Sequence, residues 1–327
     1  MRCVEIHGFG NPADVVTAGE RPVPEPGPGE ARVRLVLSPI HNHDLAIIRG
    51  VYGYKPALPA VPGTEALGVI EALGEGVRHL TVGQRVMTAS AQHTWAESFV
   101  SPAAKLVPAP AGLADEAACQ LLAMPMSALM LLEDLRVQRG QWIVQNAANG
   151  AVGKTLAVLA AQRGIGVVNL VRRREALDDL ASADIGGGVA TDDPAWRDAV
   201  RALTGGAPIV RAIDSIGGEA SQRLMSLLAD ADGELIVFGS LTFEPVVVSG
   251  GDLIFKQALV KGYWASRRFA ATPPAELARL IGELAAQAQA GTLPLPVGGI
   301  HALSDARAAM LAAEQPGRRG KVLLRPD

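Results

Sequence analysis

The chain has 327 residues, of which 49% are hydrophobic and 19% charged, and its formal net charge is −3. This length and composition allow two domains, each with a core of its own, and they exclude a disordered protein. Nucleic-acid binding normally needs a concentrated basic face, and this net charge gives no reason to expect one, so we expect no nucleic-acid partner.

Cysteine and apolar content restrict the setting of the protein. Only two cysteines occur, Cys3 and Cys119, and neither has a second cysteine at metal-ligand spacing. A disulfide framework is therefore not expected, and a reducing, cytoplasmic setting is favoured. No uninterrupted apolar run of about 18 residues predicts a membrane span, and the N-terminal segment MRCVEIHGFG lacks the apolar core of a signal peptide. We expect a soluble protein with no membrane partner.

The chain begins with a β-rich part and continues with alternating strands and helices. Residues 1–115 contain short runs of strand formers between turn residues. From residue 116, helical stretches alternate with short apolar strands, which is typical of βαβ units. The strand candidates suit a doubly wound parallel sheet. They are QWIVQNAA, GVVNLVR, GGVATD, IVRAIDSIG, GELIVFGS and ALVKGYW.

The last part of the chain has too few elements for a domain of its own. It offers a helix in PPAELARLIGELAAQAQAG, a strand near GGIHAL, a short helix in SDARAAMLAAEQ and a closing strand in GKVLLRP. We expect these elements to fold back onto the β-rich part. The predicted organisation is one domain of residues 1–115 plus 266–327, interrupted by a second domain of residues 116–265.

A glycine-containing turn joins the strand QWIVQNAA to the helical stretch KTLAVLAAQRG. Its pattern is A-x-G-x-x-G, a variant of the dinucleotide fingerprint with Ala148 in the first glycine position. Such glycines let the backbone approach a diphosphate, whose charge meets the amides at the helix start. A plain turn between strand and helix is the alternative, but the βαβ surroundings favour a cofactor. The residues expected at the diphosphate are Asn149, Gly150, Ala151, Val152 and Gly153.

Three arginines follow the next strand, and they are Arg172, Arg173 and Arg174. At this position an NAD enzyme would have an Asp or Glu that hydrogen-bonds to the ribose 2′-hydroxyl. Guanidinium groups there complement a 2′-phosphate, so the sequence predicts NADPH as the cofactor. A solvated basic helix start is the alternative, and Glu175 would contact a ribose if the turn is longer.

With these residues in view, the whole chain resembles the medium-chain dehydrogenase/reductase superfamily. The likeness implies an α/β fold in which a Rossmann doubly wound parallel sheet is inserted into a GroES-like β-rich catalytic domain. Zinc enzymes of the superfamily hold their metal with a cysteine, a histidine and a third ligand. Here IHNHDL places His41 at the cysteine position and PGTEALG places Thr64 at the histidine position. A set of His41, His43 and Asp44 is the alternative, but we predict no metal.

Within the superfamily the chain resembles NADPH-dependent 2-enoyl thioester reductases of the mitochondrial and bacterial type. Matching segments include RGVYGYKPALPAVPGTE, HTWAESFV and NLVRRRE. The resemblance implies that Tyr52 acts at the active site, with Tyr54 as the rival. Hydride addition to an α,β-unsaturated carbonyl compound leaves an enolate, to which a phenol can give a hydrogen bond or a proton. Quinone oxidoreductases of the superfamily carry a tyrosine in a similar loop.

The resemblance also implies further cofactor contacts. These are Phe238, Gly239, Ser240, Leu241, Tyr263, Trp264, Ala265 and Lys321. Trp264 fits packing at a domain junction equally well. The family's asparagine before a proline is replaced here by Met124, which weakens a strict assignment to enoyl thioesters.

Three functions therefore stay open. The first is an NADPH-dependent enoyl thioester reductase, for which Arg267 and Arg268 are candidates to meet the phosphates of a carrier, with a solvated pair as the alternative. The second is a quinone or enone reductase acting on small electrophiles, and the third is a non-catalytic NADPH-binding protein. The resemblance also implies a homodimer formed at the edge of the Rossmann sheet, for which the segment FEPVVVSGGDLIF is a candidate.

Overall fold

A computed structural model of the protein describes residues 1–231 and 233–327. The chain forms two compact units. The first comprises Met1–Ala123, Ala285–Gly291 and Leu295–Asp327, and the second comprises Met124–Leu284 and Thr292–Pro294.

These units divide later along the chain than the sequence predicted, at residues 123 and 284 instead of 115 and 265. The shift at the second boundary has a local reason. The helix that follows residue 273 forms ion pairs with the second unit, in which Arg279 bonds to Glu133 at 2.6 Å and Glu283 accepts from Arg163 at 2.8 Å. Most of this helix therefore belongs to the second unit.

The elements of the first 123 residues are mostly strands. They are β1 Arg2–Ile6, α1 Pro12–Val15, β2 Val16–Glu20, β3 Glu30–Pro39, α2 Asn42–Ile48, β4 Ala66–Leu73, β5 Arg85–Thr88, β6 Ser98–Pro102, β7 Val107–Pro108 and α3 Asp115–Ala118.

The later elements alternate between helix and strand. They are α4 Met124–Asp134, β8 Trp142–Gln145, α5 Ala151–Gln162, β9 Gly166–Val171, α6 Ala176–Ala181, β10 Gly188–Ala190, α7 Trp196–Thr204, β11 Ile209–Asp214, α8 Glu219–Leu227, β12 Glu234–Val237, α9 Gly250–Phe255, β13 Leu259–Gly262, α10 Ala265–Ala270, α11 Pro274–Gln289, β14 Val297–Ala302, α12 Ala306–Glu314 and β15 Lys321–Arg325.

The sheet of the first unit is built around β3, whose residues alternate between the core and the other face. Ala31, Val33 and Leu35 are fully buried, as the period of two in the sequence requires. The sheet runs β14-β15-β3-β4-β5-β7, with β6 paired to β3. Since β15 pairs antiparallel with β3, the last strand of the chain completes a sheet begun near its start.

The sheet of the second unit is parallel throughout and, in the described residues, has the order β10-β9-β8-β11-β12-β13. This order is that of a doubly wound Rossmann sheet, as predicted. The side chains of Val168, Leu170 and Val171 in β9 are buried, because helices cover both faces of a parallel sheet. The order reverses between β8 and β11, and ligands of such sheets bind at the carboxyl ends of the strands at that point. Among the described residues, no helix combines the length and apolar character needed to cross a membrane.

Candidate cofactor site and active site

The turn between β8 and α5 has the geometry of a diphosphate cradle. Gly150 precedes the first turn of α5 with φ −75° and ψ 165°. The amides of Ala151, Val152 and Gly153 in that turn have no acceptor within the helix, nor any elsewhere in the part of the chain that the structure describes. Free N–H groups at a helix start favour an anion, and the helix dipole adds to the attraction. The turn therefore fits the diphosphate of a dinucleotide.

Polar side chains tie this cradle to the neighbouring strands. Gln145, the last residue of β8, donates through Nε2 to the carbonyl of Gly153 at 2.8 Å and to Oδ1 of Asn169 in β9 at 2.7 Å. Asn146 donates through Nδ2 to Oδ1 of Asp214 at 2.6 Å and accepts from the amide of Ser215 at 2.7 Å. Two hydrogen-bonded sets thus tie the carboxyl end of β8 to β9 and to β11.

Asn146 and Asp214 belong to this site but were not predicted from the sequence. The side chain of Asp214 is fully buried at the end of an apolar strand. Its carboxylate accepts from the amides of Ile216 at 2.9 Å and Gly217 at 3.1 Å. A polar residue closing an apolar strand was the available signal, because such residues at the carboxyl end of a parallel strand lie at the ligand crevice.

The three arginines after β9 differ in their surroundings. Arg174 pairs through its guanidinium with Oδ2 of Asp193 at 2.9 Å, and its side chain is 73% exposed. Arg172 and Arg173 are exposed, and their side chains have no hydrogen-bond or ion-pair partner in the described residues. Two of the three predicted phosphate ligands therefore have all their donors available.

A buried ion pair supports the backbone around these arginines. Lys154, directly after the fingerprint, donates to Oδ1 of Asp179 in α6 at 2.7 Å, and both residues are less than a tenth exposed. The pair joins α5, which carries the free amides, to α6, which follows the arginines. Sequence patterns gave no sign of it, since its partners are 25 positions apart.

The segment Phe238, Gly239, Ser240 and Leu241 follows β12 at the same edge of the sheet. The amides of Phe238 and Gly239 donate to the carbonyl of Asp214 at 2.8 and 3.1 Å, which folds the segment against the end of β11. A Cβ on Gly239 would lie 3.1 Å from the carbonyl oxygen of Ser215, so this close approach favours glycine.

Two predicted cofactor residues after β13 already have contacts inside the second unit. The Tyr263 ring stacks 6.1 Å from that of Phe238, and its hydroxyl donates to Oδ2 of Asp134 at 3.1 Å. Burial and the nearby carboxylate raise the pKa of Tyr263. Trp264, which precedes α10, is 53% exposed. Arg268 also donates to Asp134, at 2.9 Å. Arg267 and Arg268 are therefore not a pair of free guanidinium groups.

The predicted catalytic tyrosine lies in the first unit, in the loop after α2. Tyr52 is half-buried, and its ring centroid is 6.0 Å from that of His43. Tyr54 is 41% exposed, and its hydroxyl bonds to the side-chain oxygen of Gln92 at 3.2 Å. The two tyrosines therefore differ in their surroundings, because the ring of Tyr52 lies against α2 and the hydroxyl of Tyr54 is bound elsewhere.

A buried polar network surrounds His43. Its Nε2 is 2.7 Å from the hydroxyl of Thr64, and that hydroxyl donates to Oδ1 of Asp44 at 2.9 Å. The other carboxylate oxygen of Asp44 accepts from the amide of His41 at 2.9 Å, which caps the start of α2. Burial lowers the pKa of His43; the charge of Asp44 opposes this shift and that of Lys321 adds to it, and the net fall below 6.5 leaves the imidazole neutral at pH 7.

A second buried pair joins His41 to Glu65. Nε2 of His41 is 2.7 Å from Oε2 of Glu65, and both side chains are almost fully buried. The other oxygen of Glu65 accepts from the amides of Leu122 and Ala123, each at 2.7 Å. Burial raises the pKa of Glu65 to about 8 and lowers that of His41. Glu65 was not predicted from the sequence, although a carboxylate inside the run PGTEALG was a visible signal.

Lys321, the first residue of β15, lies in the same unit and is buried. Burial lowers its pKa to about 8, and the charge of Arg318 adds to this shift. Its ammonium has no hydrogen-bond or ion-pair partner within the described part of the chain. The carboxyl groups of Asp44 and Glu65 oppose the fall in its pKa, and the ammonium has donors available for an anionic ligand.

The residues at the expected zinc position do not fit a metal. His41 is engaged by Glu65, and the hydroxyl of Thr64 is shared between His43 and Asp44. Among the described residues, no group of three or more histidine, cysteine, aspartate or glutamate side chains converges as metal ligands. The side chains of His41 and Thr64 are thus already engaged in hydrogen bonds within the protein.

The two units define an oxidoreductase of the Rossmann and GroES-like class. Residues 27–115 match the family described as Alcohol dehydrogenase GroES-like domain, and residues 151–284 match the family described as Zinc-binding dehydrogenase. The chain belongs to the medium-chain dehydrogenase/reductase superfamily. The resemblance recognised in the sequence is thereby confirmed.

Individual relatives carry two kinds of name. The mitochondrial enoyl-[acyl-carrier-protein] reductases of Bos taurus and Homo sapiens are each 30% identical to this chain, over 99% of it and 88% of their own length. The structure of Escherichia coli quinone oxidoreductase complexed with NADPH has a TM-score of 0.90 at 24% identity and covers both chains fully. A mycobacterial protein complexed with NADPH has a TM-score of 0.88 at 27% identity, again over both full chains.

The predicted site residues fall into two sets. The fingerprint, the arginines and the segment 238–241 directly follow strands of one parallel sheet, so they share its carboxyl edge. Tyr52 and Lys321 lie in the first unit. The additional polar residues that the structure reveals are Asn146, Lys154 and Asp214 in the second unit and Glu65 in the first.

Proposed function

We propose that the protein is an NADPH-dependent reductase that saturates the carbon–carbon double bond of an α,β-unsaturated carbonyl compound, with a 2-enoyl thioester as the substrate class. One observation carries the cofactor assignment. Free amides at the start of α5 occur together with free guanidinium groups, those of Arg172 and Arg173, after the next strand, β9. The substrate class is supported by the names of the relatives that align over nearly the whole chain.

The binding residues have separate tasks in this proposal. The amides of Ala151, Val152 and Gly153 meet the diphosphate, together with Asn149 and Gly150. Arg172 and Arg173 bind the 2′-phosphate through charge-assisted hydrogen bonds. Arg174 contributes less, because its guanidinium is already paired with Asp193. NAD enzymes have a carboxylate at the end of the strand that corresponds to β9, whereas this chain has arginines there. NADPH is therefore preferred to NADH.

Other predicted contacts complete the cofactor site in the proposal. Lys321 meets an anionic group, since its ammonium has no hydrogen-bond or ion-pair partner among the described side chains. The segment from Phe238 to Leu241 lies toward the nicotinamide, as do Tyr263 and Trp264. The hydrogen bond between Tyr263 and Asp134 makes the ring of Tyr263, and not its hydroxyl, the contacting part.

The chemistry needs a hydride and a proton. NADPH supplies the hydride when it is bound. Tyr52 then hydrogen-bonds to the carbonyl oxygen or gives its phenolic proton to the α-carbon, so that the enolate becomes the saturated product. The phenolate regains a proton from water. Tyr52 is preferred to Tyr54, because its ring lies near that of His43 in α2, whereas Tyr54 is more exposed.

A quinone or small enone reductase is the second candidate function, and two observations favour it. Met124 stands where the enoyl reductases that the sequence resembles place an asparagine, so a polar group expected beside the nicotinamide is missing. Arg268, a candidate for the phosphates of a carrier, is bound to Asp134. A non-catalytic NADPH-binding protein is a third candidate, which the presence of Tyr52 disfavours.

Steady-state assays separate these functions. Purified protein is given NADPH with crotonyl-CoA or with a simple quinone, and consumption of NADPH is followed alongside product formation. We expect turnover of crotonyl-CoA and weak activity with NADH. Turnover of the quinone alone would replace the first function by the second. Binding of NADPH without turnover over a broad panel of enones, thioesters and quinones would support the third.

We also propose a homodimer formed through the edge of the parallel sheet. β13 lies at that edge, and Leu259 and Val260 in it are 61% and 41% exposed. Ile254 and Phe255 in α9, which precedes β13, are 69% and 84% exposed. An exposed apolar edge strand is prone to pair with another chain, so a second copy is the proposed occupant.

The proposed location is a reducing compartment, the cytoplasm. Both cysteines, Cys3 and Cys119, are buried free thiols. Burial raises the pKa of each thiol, which keeps it protonated and poorly reactive.

A further inference from the structure

Three aromatic rings of the first unit lie in a row. The rings of His41 and His43 stack with centroids 5.0 Å apart and planes at 19°. The ring of Tyr52 follows, 6.0 Å from His43 with planes at 36°. The ring of His43 therefore lies between the fully buried imidazole of His41 and the phenol of Tyr52. In the proposed function this phenol is the group that acts on the enolate.

Hydrogen bonds fix the orientation of the central ring. The Thr64 hydroxyl donates a hydrogen bond to Oδ1 of Asp44, at 2.9 Å. That hydroxyl has no second proton, so at 2.7 Å it must accept from Nε2 of His43. His43 is thus the Nε2–H tautomer with an unprotonated Nδ1. Asp44 is itself held, because its other oxygen accepts from the amide of His41.

The backbone around Tyr52 offers less support. In the described chain, residues 51–59 form neither helix nor strand. The orientation of the phenol must therefore come largely from contacts of its side chain. The imidazole of His43, which is anchored to α2 and to Thr64, is such a contact and is 23% exposed.

We propose that His43 is a positioning residue for Tyr52, and that Asp44 and Thr64 serve the reaction by fixing the imidazole against the phenol. This proposal rests on the proposed function, in which Tyr52 acts on the enolate. His43 acts through Tyr52 and takes no part in proton transfer itself. The hydrogen-bonded chain of Asp44, Thr64 and His43 thus holds the phenol of Tyr52 in position.

A double-mutant cycle tests the proposal with crotonyl-CoA and NADPH. His43→Phe keeps a ring but loses the bond to Thr64, and we expect it to lower kcat about tenfold or more with little change in KM, which is the scale for small misplacements of a reacting group. In the background of Tyr52→Phe, the same substitution should cause almost no further loss. His79→Phe is the matched control, since His79 is an exposed histidine of the same unit, and its kcat should equal that of the wild type.

Substitutions at Thr64 test the anchor separately. Thr64→Ser keeps the hydroxyl and should retain activity, whereas Thr64→Val keeps the shape and should match the loss in His43→Phe. Nitrogen NMR of His43 should show a protonated Nε2 and a bare Nδ1 in the wild type and in Thr64→Ser, with this preference lost in Thr64→Val. NADPH affinity and the thermal midpoint monitor folding in every variant.

The outcomes distinguish this inference from the proposed function. If Tyr52→Phe loses turnover but His43→Phe causes the same fold-loss in both backgrounds, His43 does not act through Tyr52 and this inference is overturned alone. Unchanged turnover in Tyr52→Phe would overturn the proposed role of Tyr52 and the positioning role with it. An opposite tautomer of His43 in the wild type would also overturn the inference.

Discussion

Gly153 lies so close to Ala148 that a Cβ at residue 153 would be 2.7 Å from the carbonyl oxygen of Ala148 and 2.8 Å from its Cα. Both obstructing atoms belong to the backbone and cannot swing aside. The third glycine position of the fingerprint therefore lets α5 pack against the end of β8.

We predict that Gly153→Ala lowers the free energy of unfolding by about 1–3 kcal/mol, which is typical of overpacking. It should also weaken NADPH binding, since the displaced helix start carries the free amides. Chemical denaturation and calorimetric titration measure the two effects. Gly186→Ala is the control, because a Cβ at residue 186 would meet no atom within 4 Å and the φ of Gly186 is not positive. Equal stability of both variants would contradict the close approach.

The arginines after β9 should not contribute equally to cofactor choice. We predict that Arg172→Ala and Arg173→Ala each weaken NADPH about tenfold or more, the scale for losing a charge-assisted hydrogen bond, with little effect on NADH. Arg174→Ala should cost less, because its guanidinium already pairs with Asp193. Titrations with both cofactors measure this, and Arg201→Ala, an exposed arginine in α7, is the control. Parallel losses for NADPH and NADH would mean that these arginines do not recognise the phosphate.

Periodic patterns were sufficient to predict the parallel sheet and the helix after the fingerprint. Buried parallel strands are continuous apolar runs, as in β9, and a glycine turn marks the start of α5. The domain boundary near residue 284 was harder to place, because it depends on ion pairs such as that of Arg279 with Glu133. Local sequence carries no information on such contacts between distant segments.

The polar network of the first unit could not be predicted from the sequence either, because it also depends on contacts between distant segments. Glu65 is 24 positions from His41 and 57 from Leu122, and only the folded chain brings their polar atoms within 2.7 Å. The sequence placed His41 and Thr64 at the positions of the superfamily's cysteine and histidine ligands, and it indicated His43 only in an alternative ligand set. It did not reveal that hydrogen bonds hold them in place, since that depends on side-chain geometry.

Loss of the phenolic hydroxyl tests the catalytic assignment. We predict that Tyr52→Phe lowers turnover about 100-fold, the usual scale for a positioned proton donor, while NADPH affinity stays near that of the wild type. Steady-state kinetics and a binding titration measure the two quantities. Tyr54→Phe is the matched control, because the hydroxyl of Tyr54 bonds to Gln92. A larger effect in Tyr54→Phe would exchange the roles of the two tyrosines.

A charge beside the sheet edge tests the proposed dimer. Phe255 is 84% exposed, so Phe255→Asp should leave the folded chain intact but raise the Kd for dimerisation about tenfold or more, as loss of an apolar anchor does. Sedimentation velocity over a range of concentrations measures the change. Leu311→Asp is the control, since Leu311 is 57% exposed in α12 of the first unit. A monomeric wild type, or equal effects of both substitutions, would reject this edge as the interface.

The raised pKa of Glu65 predicts a loss of stability as the pH rises. In the folded protein Glu65 keeps its proton up to a pKa of about 8, whereas in the unfolded chain it ionises near its ordinary pKa of 4.5. Between these values the folded state binds more protons, so the free energy of unfolding falls with rising pH. The histidines with lowered pKa act in the opposite direction, but only below their ordinary pKa of 6.5.

Lys321, whose folded pKa is lowered to about 8, also acts in the opposite direction as the pH approaches that value, so the window in which Glu65 dominates runs from about pH 6.5 to 7.5. We predict that Glu65→Gln removes the titrating group, so its free energy of unfolding declines less over this window than that of the wild type. Denaturation in a single buffer series at constant ionic strength measures both slopes. Glu75→Gln, at an exposed glutamate of the same unit, should follow the wild type. Identical slopes in the wild type and in Glu65→Gln would mean that Glu65 is ionised throughout, and that the pair with His41 is a carboxylate bonded to an N–H group.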